Sequence, residues 1–433
     1  MSDTQTVRPV EADQAVQLSY LEAPAARRAR LSTGALLTIL GVGFLILGVQ
    51  VRGEARFALS TPFDPVQLPT IALPSTVTVL LCAVITLAVG VGYLTGRVPR
   101  GATSGLGALA AVAVFLGFVS WAAAGAAYPF PVGNQLAGTI ALATPLVLGA
   151  LGGVLCENSG VVNVAIEGQF LVAALTAATV GSVTGSITAA LIGAAAAGVA
   201  MAALLALFSL RYLVDQVVLG VVLNLLATGV TGFLFDQLIQ PNSGTLNNAP
   251  NMQSIRIPVL ADIPLLGSVL FDQKILVYIA VASVIAVTFL LYRTRWGLRV
   301  RAVGEHPHAA DTVGISVLAV RWQAVLLGGV FAGLGGAFFT IGSTGGFIKD
   351  ITVGNGFIAL AALIMGRWHP VRAALMAVFF GFITQLASQM QTLQTPMPSQ
   401  FLLMLPYLAT IIAVAGLIGR VRAPAADGVP YVK

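Results

Sequence analysis

Charge is scarce in this sequence. Only 9% of its 433 residues are Asp, Glu, Lys or Arg, against about 25% in soluble globular domains. With 57% hydrophobic residues the chain falls in the integral membrane class, and no stretch free of apolar runs is large enough for a separate soluble domain. Cysteine is scarcer still. Cys82 and Cys156 are the two present, both in apolar context, and they fit neither a metal-ligand spacing nor a disulfide framework. His306, His308 and His369 accompany no cluster of Cys or Glu, so no metal site is expected. No G-x-x-x-x-G-K-[ST] phosphate loop occurs, which excludes ATP hydrolysis by that machinery.

What the chain does have is long apolar runs, each able to cross about 30 Å of hydrocarbon. They cover 33–51, 75–95, 106–127, 137–155, 160–180, 186–209, 216–236, 274–292, 322–342, 355–366, 373–390 and 401–419. The run 355–366 is short and glycine-rich at its start, as a broken or re-entrant helix would be. The fold class is therefore an all-α integral membrane protein, a polytopic bundle of about 10–12 transmembrane helices with an inverted repeat and broken helices as its expected devices. Residues 1–30 are polar, mixed in charge and end in Arg27, Arg28 and Arg30; they read as a flexible tail and not as a signal peptide. Residues 31–132 read as N-terminal membrane helices of undefined role, 133–422 as the core, and 423–433 as a C-terminal tail. With the N-terminus inside, alternation leaves Arg52, Arg56, Arg256, Lys274 and Lys349 as the outer basic residues among 22. The positive-inside rule then puts both termini in the cytoplasm. The net charge of +6 is topological, spread over many loops, and no nucleic-acid partner is expected.

Polar residues inside the runs carry the chemistry. "GVVNVAIEGQFLVAAL" (160–175) places Glu167 in apolar surroundings, where a carboxylate costs about 2.5–3.5 kcal/mol on the insertion scale. If 160–180 is one helix, Asn163, Glu167 and Phe170 share a face, and the turn "CENSG" (156–160) closes a tight hairpin. Two readings stand: Glu167 braces a neighbouring helix, or it lines a polar path. Asn224 carries the same pair of readings. "EGQFLVAAL" (167–175) is echoed by "GNGFIALAAL" (354–363), and "GALGGV" (149–154) by "GLGGAF" (333–338). The first pair lies on runs of opposite direction, as an inverted repeat requires. The loop 293–321 holds "HPHAADTVGI", with a helix start after Pro307. It is either an ordinary basic loop or a short helix that docks on a soluble partner.

"ATPLVLGALGGVLCENSGVVNVAIEGQFLVAA" (143–174), "GLRVRAVGEHPHAADTVGI" (297–315), "GNGFIALAALIMGRWHP" (354–370) and "PSQFLLMLPYL" (398–408) together resemble permease subunits of bacterial ATP-binding cassette importers. The branch is the one for branched-chain amino acids, ribose-type sugars and nucleosides, and "GVVNVAIEGQ" is most similar to its nucleoside permeases. The resemblance implies that this chain binds no cofactor, and that a cytoplasmic ATPase holds the ATP. It implies a second permease subunit, giving a heterodimer or a homodimer, an extracytoplasmic substrate-binding protein, and a setting in membrane lipid. It identifies the loop as the ATPase coupling element, with Gly297, Arg299, Arg301, Gly304, Glu305, Pro307, Ala309, Ala310 and Gly314. A neutral nucleoside or related polar solute needs side chains that replace water without holding it fast. Asn163, Glu167, Gln169, Asn224 and Asn355 are the candidates, with Phe170 and Phe357 as stacking faces for a base. A monosaccharide or branched-chain amino acid is the alternative cargo. A stand-alone carrier using Glu167 for proton coupling is the alternative machine.

Overall fold

The computed structural model describes residues 24–60, 66–393, 398–412 and 422–433. Among them ten helices are long and apolar enough to cross a membrane, and the chain divides into two compact units.

The first unit carries α1 (Pro24–Gln50), α2 (Ser75–Thr95) and α3 (Thr103–Ala122). Gly34, Gly41 and Gly48 recur every seventh residue along α1, and Leu94, Leu87 and Leu80 of α2 meet them in reverse order. A seven-residue repeat keeps one seam towards a partner, the reversed order makes the pair antiparallel, and glycine lets the backbones close. The flexible tail expected through residue 30 is corrected for its last part. Residues 24–30 are already helical, because Ala and Arg in "AARRAR" are strong helix formers. Residues 1–23 lie outside the described residues.

The second unit carries α4 (Val132–Asn158), α5 (Ile166–Thr184), α6 (Ile187–Ala206), α7 (Gln216–Leu234), α8 (Ile275–Arg293), α9 (Arg295–Glu305), α10 (Pro307–Thr312), α11 (Val317–Phe339), α12 (Asn355–Met365), α13 (Pro370–Thr392) and all but the last residue of α14 (Ser399–Ile412). Helix α11 is its centre. Small residues let three neighbours reach its backbone: a Cβ on Gly152 of α4 would lie 2.6 Å from Gly328 O, one on Gly198 of α6 2.3 Å from Gly329 O, and one on Gly336 2.4 Å from Phe170 O of α5. This is the close packing that small residues give in membrane bundles. It also corrects the tight hairpin expected at 156–160: α4 and α5 pack on α11 in preference to each other.

The expected span 160–180 is likewise corrected. Residues 159–165 are not helical and α5 starts at Ile166. Gly160 has φ +87°, the left-handed region that ends a helix. The span 355–366 survives as the eleven-residue α12. The last span is described only as α14, and residues 413–419 of it lie outside the described residues. Between α7 and α8 the expected outer loop contains a short antiparallel ribbon, Ser254–Arg256 with Asp272–Lys274, and a helix of five residues, Leu266–Leu270.

Candidate functional site

Two helices of the second unit start inside the bundle, and the site is built where they do. Ahead of α5, residues 159–165 cross the bundle without helical hydrogen bonds, so their backbone groups need other partners. The last turn of α4 accepts from the N–H groups of Ser159, Gly160 and Val161, and helix α7 supplies partners further along. Gln216 Oε1 accepts from Val162 N at 2.7 Å, and two turns on Asn224 Nδ2 donates to Val164 O at 3.0 Å. Asn224 Oδ1 accepts from Gly168 N at 2.8 Å, one of the donors that a helix start leaves open. Asn163 is fully buried and donates to Gln169 Oε1 at 3.3 Å and to Cys156 Sγ at 3.6 Å. Asn163 Oδ1 and Gln169 Nε2 have no partner among the described residues.

Ahead of α12 lies a second non-helical stretch, 345–354, with Gly345 and Gly354 both at φ +76°. Here Glu167, in the first turn of α5, reaches across. Its Oε1 accepts from Thr352 Oγ1 at 2.6 Å and Gly354 N at 2.8 Å, and its Oε2 accepts from Gly356 N at 2.6 Å. One carboxylate thus sits between two helix N-termini, each of which favours negative charge. Asn355 turns away from it and donates to Thr352 O at 2.8 Å. From this junction α5 runs towards Asn248, whose N–H donates to Ser182 Oγ, while α12 runs towards Asn158, whose Nδ2 donates to Trp368 O. The two broken helices therefore leave the junction in opposite senses.

The opposite end of α12 is a second polar cluster. Arg367 and Trp368 both have φ 55°, a left-handed pair that reverses the chain into α13. Trp368 Nε1 donates to Glu157, which is buried in the last turn of α4. Helix α9 lies against that turn: a Cβ on Gly304 would fall 2.1 Å from Asn158 O. The sequence places 295–305 in a loop, but Val300, Val303 and Gly304 form a buried helical stripe, and Thr294 caps the start by accepting from Gly297 N at 3.1 Å. The expected helix after Pro307 is α10. Arg301 of α9 lies over the Tyr292 ring at 4.9 Å, and that ring stacks on His369 at 5.0 Å. Burial, then Arg372, hold His369 below the usual histidine range.

The model for the family described as "Branched-chain amino acid transport system / permease component" matches residues 135–419. The chain belongs to this permease family. The permease is 40% identical over 305 residues to the guanosine ABC transporter permease protein NupQ of Bacillus subtilis, covering 68% of this chain and 95% of that protein. It is 38% identical over 309 residues to the nucleoside ABC transporter permease protein NupC of Lactococcus lactis subsp. cremoris, covering 69% and 96%. The guanosine ABC transporter permease protein NupP, also of Bacillus subtilis, is 24% identical over 304 residues, covering 67% and 85%. No solved structure matches the chain. Residues 1–134, with α1 to α3, lie outside the family match.

Within the permease, the pathway candidates fall into two groups. Asn163, Glu167, Gln169, Asn224 and Asn355 all gather around the two helix starts. The two rings differ: Phe170 is fully buried against Gly149, Gly335 and Phe339, whereas Phe357 is 48% exposed. The shared face expected for Asn163, Glu167 and Phe170 is not formed, because Asn163 precedes the helix. An apolar cavity of about 800 Å³ between α4, α8 and α13, lined by Ile140, Val147, Val281 and Leu375, touches none of the candidates. Among the coupling candidates, Gly297, Gly304 and Ala310 are buried; Arg299, Glu305 and Ala309 are exposed; Arg301 and Pro307 lie between. Gly314 ends the segment at φ +83°. No group of three His, Cys, Asp or Glu side chains that could hold a metal ion occurs among the described residues. Residues that sequence reasoning left out are Gln216 as a backbone partner, Thr352, Gly354 and Gly356 around Glu167, and Arg321. Arg321 reads as a topological anchor but is completely buried. Its signal in the sequence is an arginine one turn inside an apolar helix.

Proposed function

We propose that the chain is one of two permease subunits of an ATP-driven importer for nucleosides, and is not itself an enzyme. The observation that carries this is the match to NupQ and NupC across nearly their whole length. The geometry agrees: two helices that start inside the bundle, with their starts directed at one point, are a device by which transporters make a solute site. The polar groups at that point are amides and one carboxylate, which suit a neutral solute rich in donors and acceptors. Bacillus subtilis holds two matching permeases, NupQ and NupP, which favours a pair of unlike subunits. In this reading a separate ATPase grips α9 and α10, both termini are cytoplasmic, and a binding protein delivers the cargo from outside.

Glu167 speaks against the alternative of a proton-coupled carrier. Its partners are two backbone N–H groups, which can only donate, and the Thr352 hydroxyl, and that set braces two helix starts, the structural role that the sequence also offered for this residue. The deciding experiment is reconstitution. The complex purified from membranes through this chain should contain an ATPase and take up labelled guanosine into proteoliposomes only with ATP and the binding protein. Uptake by the chain alone under a proton gradient, or glucose or leucine uptake in place of guanosine, would refute the machine or the cargo respectively.

A further inference from the structure

The C-terminal segment 422–433 is the part of the second unit that the sequence describes least and the structure ties down most. Ala426 N donates to Gly304 O at 2.8 Å, and Ala425 N to Glu305 Oε2 at 3.3 Å, so the segment is bonded to the end of α9. The Tyr431 ring, only 6% exposed, lies 5.1 Å from the His308 ring of α10, and Lys433 Nζ is 3.7 Å from Asp311. On its other side the segment meets Arg321 of α11. This guanidinium donates through Nε to Ser159 O and through Nη1 to Val429 O, both at 3.1 Å. A Cβ on Gly160 would lie 2.7 Å from the same guanidinium and 2.9 Å from Ala426 O. Coupling helices, central helix and the break ahead of α5 are therefore all fastened to one short piece of chain.

Helix α10 has six residues, too few to hold a helix or a position unaided, and Ala310 is its one buried residue. A fully buried arginine must also be paired and hydrogen-bonded. Without the segment, Arg321 would keep Ser159 O and lose Val429 O, the acceptor that the segment supplies. The pairing is mutual: the segment fixes Arg321, and Arg321 fixes the segment to the turn from which the 159–165 break begins.

We propose that residues Ala425–Lys433 form a positioning strap of the coupling apparatus, holding α9 and α10 in register with the 159–165 break through Arg321. The proposal rests on the reading of α9 and α10 as the ATPase grip. A push delivered to α10 then moves the break as a body instead of being lost in a loose six-residue helix.

The test uses the intact complex in proteoliposomes and reads solute taken up per ATP hydrolysed. A merely structural role lowers both quantities together, through loss of folded complex, and leaves their ratio unchanged. A positioning role lowers the ratio. Deletion of Ala425–Lys433 should reduce the ratio about tenfold, within the usual range for coupling between two sites, while ATP hydrolysis continues. If the deleted chain does not assemble, Tyr431→Ala in the full chain is read in the same way and should give a severalfold loss. An unchanged ratio in whichever variant assembles overturns the strap. If instead the unaltered chain brings down no ATPase, or transports without ATP, the importer reading itself has failed, a result separable from the first.

Discussion

Gly356 and Glu167 meet both as backbone and as a capped pair. A Cβ on Gly356 would lie 2.4 Å from Glu167 N, while Gly356 N donates to Glu167 Oε2 at 2.6 Å. The carboxylate of one broken helix occupies the anion-binding end of the other. That is how an apolar bundle accommodates the charge: backbone donors and two helix starts that meet at it replace the water it has lost.

Replacing Glu167 with Ala should therefore damage the fold as well as transport. Three donors lose a charged acceptor, each such bond contributing about 1.5–3 kcal/mol, with strong coupling among them. The thermal midpoint of the purified permease should fall clearly, with a loss of about 3 kcal/mol or more, and Glu167→Gln should fall between. An unshifted midpoint in Glu167→Ala would show that the two helix starts are held by something else.

Gly356→Ala puts a methyl group against backbone that cannot move independently. Overpacking costs about 1–3 kcal/mol, and uptake should drop with it. Gly229 of α7 provides the control, since a Cβ there meets nothing within 4 Å; Gly229→Ala should leave uptake unchanged. Equal uptake in the two variants would argue that the close approach is not required.

Asn224→Leu strips partners from Gly168 N and Val164 O, each left as a buried orphan at a cost of about 1–3 kcal/mol. Asn224→Asp keeps the acceptor for Gly168 but sets an oxygen against the Val164 carbonyl. Both should lower stability in thermal unfolding. If Asn224→Leu kept its stability but lost uptake, Asn224 would belong to the solute path and not to the scaffold.

Docking of the C-terminal segment should depend on pH. Burial pushes the Asp427 carboxyl from its ordinary 3.8 up to about 7, with Arg321 and the Gly428 backbone pulling the other way. Glu157 of α4 is close enough to interact with it, and the segment also meets Glu305 of α9 and His308 and Asp311 of α10, and itself carries Arg422, Tyr431 and Lys433. An acid with a raised value in the docked state binds a proton that the free segment has released. Docking is therefore strongest below about 3.8, weakens as pH rises towards about 7, and levels off above. Hydrogen exchange of 425–433, corrected for intrinsic rates, should be faster at about pH 8 than at about pH 5, and Asp427→Asn should reduce the difference, with Glu157 of α4 supplying what remains. Equal protection at both values in the unaltered chain would contradict this.

The class, the approximate number of spans and the broken helix at 355–366 were legible because each is a local property. Low charge and apolar run length depend on composition within a window, and a glycine-rich start to a short run marks a broken helix wherever it packs. Glu167, Asn163, Gln169 and Asn224 stood out for the same reason, as polar groups in apolar runs. Helix α9 was missed because its apolar stripe is brief and crowded by arginines. The helical face drawn through Asn163 and Phe170 failed because periodicity presumes a continuous helix, and here the helix starts only at Ile166, after Asn163.

By itself the sequence determined that this chain lives in a bilayer, which residues are too polar to be there without partners, and which family it resembles. Only the tertiary structure decided who those partners are. Glu167 finds Gly354 and Gly356, Asn224 finds Gly168, and Arg321 finds Ser159 and Val429, over separations of 187 and 189, 56, and 162 and 108 residues. Backbone N–H and C=O groups look alike at every position, so no residue type announces which of them a break will leave open. That is settled when helices from distant parts of the chain pack together and bring an unpaired donor within reach of an acceptor.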